Sequence, residues 1–174
     1  IFPDYRVRRF DTLFTPSDAD ARRAWLAGQG LESRGYVAFV PGGRGEASRV
    51  AEPAELFIAA ARAFVTATGQ RAVVLTGRKS VAAEADARLT LLPRVEPGEV
   101  QHLLAEASFV VSNGGTTMIH TLAHARPIIA IPLAEANVSG CFEISQTSAC
   151  RVIAQNGEKP SGVHQCTGDS ARSP

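Results

Sequence analysis

The sequence predicts an α/β domain built on a Rossmann-like, doubly wound parallel sheet. Three observations carry this expectation. Short apolar runs rich in Val, Ile and Leu recur along the chain and are apolar nearly throughout rather than alternating, as strands covered on both faces are. Stretches with helical spacing of apolar residues lie between them. The connections are short, which favours strand–helix–strand units over separate layers.

In order along the chain, "SDADARRAWLAG" (17–28) has a Ser or Asp N-cap, good helix formers and a closing Gly28, and reads as a helix. "YVAFV" (36–40) reads as a strand and is followed by "PGGRG". "PAELFIAAARAFVTATG" (53–69) opens on Pro and closes on Gly, the usual asymmetry of a helix. "RAVVLT" (71–76) and "LTLL" (89–92) read as strands, and "PGEVQHLLAEA" (97–107) as a helix. "FVVS" (109–112), "TTMIHTLAHA" (116–125) and "PIIAIP" (127–132) give strand, helix and strand. A last helix is expected over 142–150 and a last strand over "RVIA" (151–154). Residues 1–34 are expected to be a linker and a first helix, 35–154 the Rossmann-like domain, and 155–174, polar and rich in Gly, Ser and Pro, a disordered tail.

Composition narrows the function. The chain has 174 residues, 45% hydrophobic, 20% charged, with a net charge of +1. That supports one globular domain with a real core. It supplies no basic field for nucleic acid. The longest apolar runs are too short to cross a bilayer, and no secretory signal opens the chain. Cys141, Cys150 and Cys166 are odd in number and show no metal-ligand spacing, so a reduced, cytoplasmic setting is expected and the thiols are read as inert. The chain opens on Ile1 without an initiator Met, which suggests part of a longer protein.

Ligands of such sheets sit at the carboxyl ends of the strands, and the Gly-rich stretches lie there. Asn113-Gly114-Gly115-Thr116-Thr117 follows one strand and opens a helix. Glycines allow close backbone approach, first-turn amides point outward, and the helix dipole and Thr hydroxyls favour an anion, best a phosphate. The alternative is a tight turn with Thr as N-cap. Gly42-Gly43-Arg44 follows the first clear strand. It is not the dinucleotide fingerprint, since Ser48 stands where the third glycine belongs, and "TGRKS" (76–80) lacks the pattern of a P-loop. It is read as either a substrate-contacting or a flexible loop. His120 and His124 lie four apart, but Thr121 replaces the Glu of H-E-x-x-H and no third ligand is evident, so no metal is expected. His120, one turn from the glycines, is placed to face a ligand, and His124 is read as structural. Glu135 and Asn137 follow strand "PIIAIP", where they could touch ligand hydroxyls or form a solvated loop.

The order strand–"PGGRG"–helix, strand–"TGR", "LLPRV"–helix, then "VVSNGGTTMIHTLAHARPIIAIPLAEAN" resembles the C-terminal, donor-binding half of GT-B glycosyltransferases. It is most similar to the branch with the peptidoglycan N-acetylglucosaminyltransferase, the family 28 C-terminal-like branch, and its nucleotide-sugar hydrolase relatives. The resemblance covers about residues 35–153 and is most specific over 109–135. It implies one half of a GT-B fold holding a nucleotide-diphosphate sugar, a UDP-sugar above all. Gly114, Gly115 and Thr116 would meet the diphosphate, and Gly42 and Gly43 would approach it. Arg94 and Val95 would lie beside the base, and Glu135 to Asn137 near the sugar. Many members bind the ribose diol through a Glu where this chain has His120, and Ala136 breaks their Asp-Gln pair. No cofactor is implied. The acceptor site, and often the catalytic base, belongs to an N-terminal domain or partner subunit absent here, through which the protein could sit peripherally at the membrane. No catalytic residue is assigned. The alternatives are a non-catalytic nucleotide-sugar or partner module, and a nucleotide-sugar hydrolase or epimerase.

Overall fold

The computed structural model describes residues 18–42, 53–77, 86–93, 95–133 and 135–153. Their elements, in order, are α1 (Ala19–Gly28), β1 (Tyr36–Val40), α2 (Pro53–Thr68), β2 (Arg71–Leu75), β3 (Leu89–Leu92), α3 (Pro97–Glu106), β4 (Val110–Ser112), α4 (Thr116–Ala123), β5 (Ile128–Ala130), α5 (Glu135–Ser145) and β6 (Cys150–Val152). The six strands form one parallel sheet in the order β3-β2-β1-β4-β5-β6. This is the doubly wound arrangement, with its reversal of winding between β1 and β4.

β1 explains why the strands read as unbroken apolar runs. It is central, paired with β2 on one side and β4 on the other, and all five of its residues are buried. Val37 and Phe39 face α2, where they meet Phe57, Ile58, Ala61 and Val65. Tyr36, Ala38 and Val40 face the opposite layer and share a core with Leu26, Leu103, Leu104 and Met118. Each fully buried Leu, Ile or Phe contributes about 1.5–3 kcal/mol relative to exposure. The Tyr36 hydroxyl donates to the Leu103 carbonyl at 2.7 Å, so the one polar atom that β1 sends inward is satisfied. Burial, foremost, holds its phenol well above the usual tyrosine range.

The helices start where their caps predict. Asp18 accepts from the Asp20 amide at 2.9 Å at the head of α1. Pro97 opens α3, and the Glu96 amide donates to Glu99 Oε2 at 2.8 Å. Glu99 Oε1 also accepts from Trp25 Nε1 at 2.9 Å, and Arg22 pairs with Glu106 at 2.8 Å, so α1 is fastened along α3.

The C-terminal elements differ from expectation. The helix expected over 142–150 spans Glu135–Ser145 instead, and the last strand begins at Cys150. Ser139 and Gly140 weaken the helical pattern. Tertiary packing overrides it, because Cys141 is fully buried in the core beside Ala130 and Cys150. The 155–174 tail lies outside the described residues. No described helix is long and apolar enough to cross a membrane.

Candidate functional site

The loops leaving β1 and β4 meet at the point where the winding of the sheet reverses. Crevices for ligands form at such points, outside the carboxyl ends of the strands. Gly42, two residues past β1, has φ 73°. A Cβ there would lie 2.8 Å from Cγ of Asn113, so the Asn113 amide packs against the bare Gly42 backbone. The two Gly-rich stretches, 71 residues apart at Gly42 and Asn113, are thus wedged together.

The turn after β4 is internally braced. The Gly114 amide donates to Ser112 Oγ at 3.3 Å, and the Gly115 amide to Asn113 Oδ1 at 3.2 Å. Gly114 has φ 77°, and a Cβ on it would overlap Cys141 Sγ of α5. Asn137 Nδ2 donates to the Asn113 carbonyl at 3.2 Å, which latches the first turn of α5 onto the loop. Burial pushes the Cys141 thiol up to about 11, so it stays protonated and serves as packing beneath Gly114.

Gly115 is the N-cap of α4, and no side chain caps the helix. The amide of Met118 turns back to the Gly115 carbonyl at 2.9 Å. Thr116 and Thr117 occupy the first two helical positions, whose amides have no acceptor within a helix. The first turns of α1, α2 and α3 carry Asp20, Glu55 and Glu99, whereas that of α4 carries no acid. The positive end of the α4 dipole therefore has no carboxylate of its own there, an arrangement suited to an anionic ligand. Thr116 is exposed and Thr117 half-buried.

His120 and His124 are held by a residue that sequence reasoning missed. Gln101 of α3 lies 2.7 Å from His120 Nδ1 through Nε2 and 2.8 Å from His124 Nε2 through Oε1. Burial lowers the pKa of both rings; for His124, Arg22 and His120 add to the effect and Glu106 opposes it. A polar residue on a helix face directed at a neighbouring helix is the available sequence signal for Gln101, and it is a weak one. Among the described residues no three His, Cys, Asp or Glu side chains converge as a metal site would require.

Val95 stands past the end of β3, just before α3, and is half-buried. Glu135 and Asn137 belong to the first turn of α5 rather than to a solvated loop. Gly43, Arg44 and Arg94 lie outside the described residues, as does Cys166; Cys150, like Cys141, is a buried free thiol. The structure thus brings together Gly42, Asn113, Gly114, Gly115 and Asn137 around the head of α4.

No protein-family model and no curated protein matches the chain. The likeness is to solved structures. The spinosyn forosaminyltransferase SpnP is similar at a TM-score of 0.59 and 18% identity, over 78% of this chain and 34% of that one. E. coli ADP-heptose LPS heptosyltransferase II gives 0.55 and 19%, over 78% and 43%. The UDP-GlcNAc 2-epimerase of Methanocaldococcus jannaschii, solved with UDP-GlcNAc and UDP, gives 0.55 and 10%, over 79% and 38%. The chain thus spans less than half the length of each of these proteins. At such identities the likeness concerns the fold, which is that of one Rossmann-like half of GT-B proteins.

Proposed function

We propose that this domain holds the diphosphate of a nucleotide-diphosphate sugar, with a UDP-sugar favoured, as the donor-binding half of a GT-B glycosyltransferase. The observation that carries the reading is the wedge of Gly42 against Asn113 at the switch point, beside a helix head with no acid in its first turn. The Thr116 and Thr117 amides face developing negative charge on the departing diphosphate, and preorganised donors there stabilise the transition state of glycosyl transfer. Gly114, Gly115, Thr116 and Thr117 meet the phosphates, with Gly42, Gly43 and Arg44 across from them. Arg94 and Val95 flank the base, His120 the ribose, and Glu135 and Asn137 the sugar. The resemblance of the 109–135 stretch is the ground for proposing the branch of the peptidoglycan N-acetylglucosaminyltransferase, and a cytoplasmic setting and an acceptor held by an N-terminal half or partner belong to the same proposal.

Calorimetry tests the reading. UDP binds more tightly than uridine, because the donors face phosphate rather than base. Equal affinities, or none for either, would remove the phosphate cradle. A second reading, a non-catalytic module on the same fold, is favoured by His120, which stands in place of a ribose-binding carboxylate and is tied to Gln101. Sugar transfer on adding the acceptor-binding half would exclude it.

A further inference from the structure

His120 in α4 and His124, the C-cap of that helix, are one turn apart. A single side chain, Gln101 near the middle of α3, reaches both rings. A primary amide has one donor end and one acceptor end, so the two rings it bridges must be complementary. The amide nitrogen donates to His120 Nδ1, which must hold a lone pair, and the His120 proton is then on Nε2. The amide oxygen accepts from His124 Nε2–H; with that ring neutral, as its burial favours, His124 Nδ1 carries no proton. The bridge requires a neutral His120, and burial favours the neutral form of His124 as well.

We infer that Gln101 is a positioning residue: its one amide locks both histidines as Nε2–H tautomers, makes His120 a hydrogen-bond donor to ligand oxygen, and ties the helix that follows the glycine turn to α3. The ligand part of this inference rests on the nucleotide-binding reading; the tautomer lock does not. A donor at position 120 has a consequence for ligand choice. A carboxylate there would accept from both ribose hydroxyls, whereas His120 Nε2–H donates to one oxygen, so recognition at this point needs an acceptor atom.

The surroundings favour the neutral pair. Arg22 from α1 and Glu106 from α3 act on His124 in opposite directions, and His120 acts on it within α4. The neighbouring strands β4 (Val110–Ser112) and β5 (Ile128–Ala130) bring no titratable side chain. One added proton can be absorbed at His124 Nδ1, with both bonds of the amide left in place. Two cannot, because both rings would then present N–H to an amide with a single acceptor. The lock therefore opens when both rings are charged.

The test uses the full chain with ¹⁵N-labelled histidine, at about pH 7.5, where neutral imidazole dominates. Long-range ¹H–¹⁵N correlation reads each ring's tautomer directly. In the wild type both are Nε2–H. In Gln101→Leu the share of the Nε2–H form falls in both rings. In Gln101→Glu the carboxylate accepts from both rings, so His120 switches to Nδ1–H, His124 stays Nε2–H, and both titrate at higher pH than in the wild type. UDP affinity falls about three- to tenfold in Gln101→Leu, the worth of one hydrogen bond. Wild-type rings outside the Nε2–H form, or a His120 tautomer indifferent to Gln101→Glu, would overturn the lock. Changed tautomers with UDP affinity intact in Gln101→Leu would overturn the positioning role. Wild type that ignores UDP while its tautomers behave as stated would sink the nucleotide reading and the ligand part of the inference, and leave the lock standing.

Discussion

Gly114→Ala tests how the glycine turn is built. Two effects act on the new methyl. The backbone at 114 has φ 77°, a left-handed conformation that costs an L-residue about 1–2 kcal/mol. The methyl would also overlap Cys141 Sγ, in a core where overpacking costs about 1–3 kcal/mol. The single variant should therefore lose about 2–5 kcal/mol. The second contribution is removable. The Cys141 Cβ lies 3.8 Å from the added methyl, ordinary contact, so only the sulfur is in the way. Cys141→Ala alone should cost about 1 kcal/mol for the lost sulfur contacts. In that background Gly114→Ala should cost only the backbone contribution, about 1–2 kcal/mol. Urea denaturation of the four proteins gives the double-mutant cycle, with an expected coupling of about 1–3 kcal/mol that favours the double variant. UDP titration runs in parallel. The single variant, with its loop displaced, should bind at least about tenfold more weakly, and the double variant should recover most of that. Strictly additive losses would refute the claim that Cys141 is the floor beneath Gly114.

Asn137→Ala removes the bond to the Asn113 carbonyl and should cost about 1 kcal/mol in urea, with faster hydrogen exchange in the 113–117 loop. Unaltered exchange would mean that α5 does not brace the turn. The depressed His120 and His124 pKa values imply that the unfolded chain binds more protons than the folded one below about pH 6.5. Their contribution is thus complete above that value and is lost as pH falls through the folded values. In wild type the melting temperature should drop between about pH 6.5 and 5, and by less in a His120→Ala/His124→Ala variant, where other groups alone titrate. His120→Ala should weaken ribonucleotide binding by up to roughly tenfold, with 2′,3′-dideoxy-UDP affected little; equal losses for both ligands would make His120 a packing residue. A chain ending at Gln155 should melt within a few degrees of the whole, since 156–174 offers little to bury.

The glycine turn at the head of α4 was legible because paired glycines at the end of an apolar run mark a strand-to-helix turn. Asn113 to Thr117 could be singled out from the end of an apolar run, two glycines and two hydroxyls. The role of Asn113 as a wedge could not. It depends on Gly42, which β1–β4 pairing brings alongside and which nothing local to 113 announces. Gln101 is illegible for a similar reason: an amide on a helix is ordinary until the facing helix presents two imidazoles. The absence of a partner motif around Cys141 implies an inert thiol, which suits its raised pKa, but nothing local places it beneath Gly114.

By itself the sequence determined the parallel α/β class, the boundaries of β1 and β3, and α1 to α4 to within two residues or so at each end. The reason is local: burial on both faces enforces continuous apolar runs, and Asp18, Pro53, Pro97, Gly69 and the Gly114–Gly115 pair start or stop helices through their own backbone and capping chemistry. Only the tertiary structure decided the strand order, the range of α5, the pairing of Gly42 with Asn113 and the joining of His120 to His124 through Gln101. Each of these is a contact between segments far apart in the chain or a helix held against weak local propensity, and its free energy comes from packing and hydrogen bonds made only once the sheet has formed.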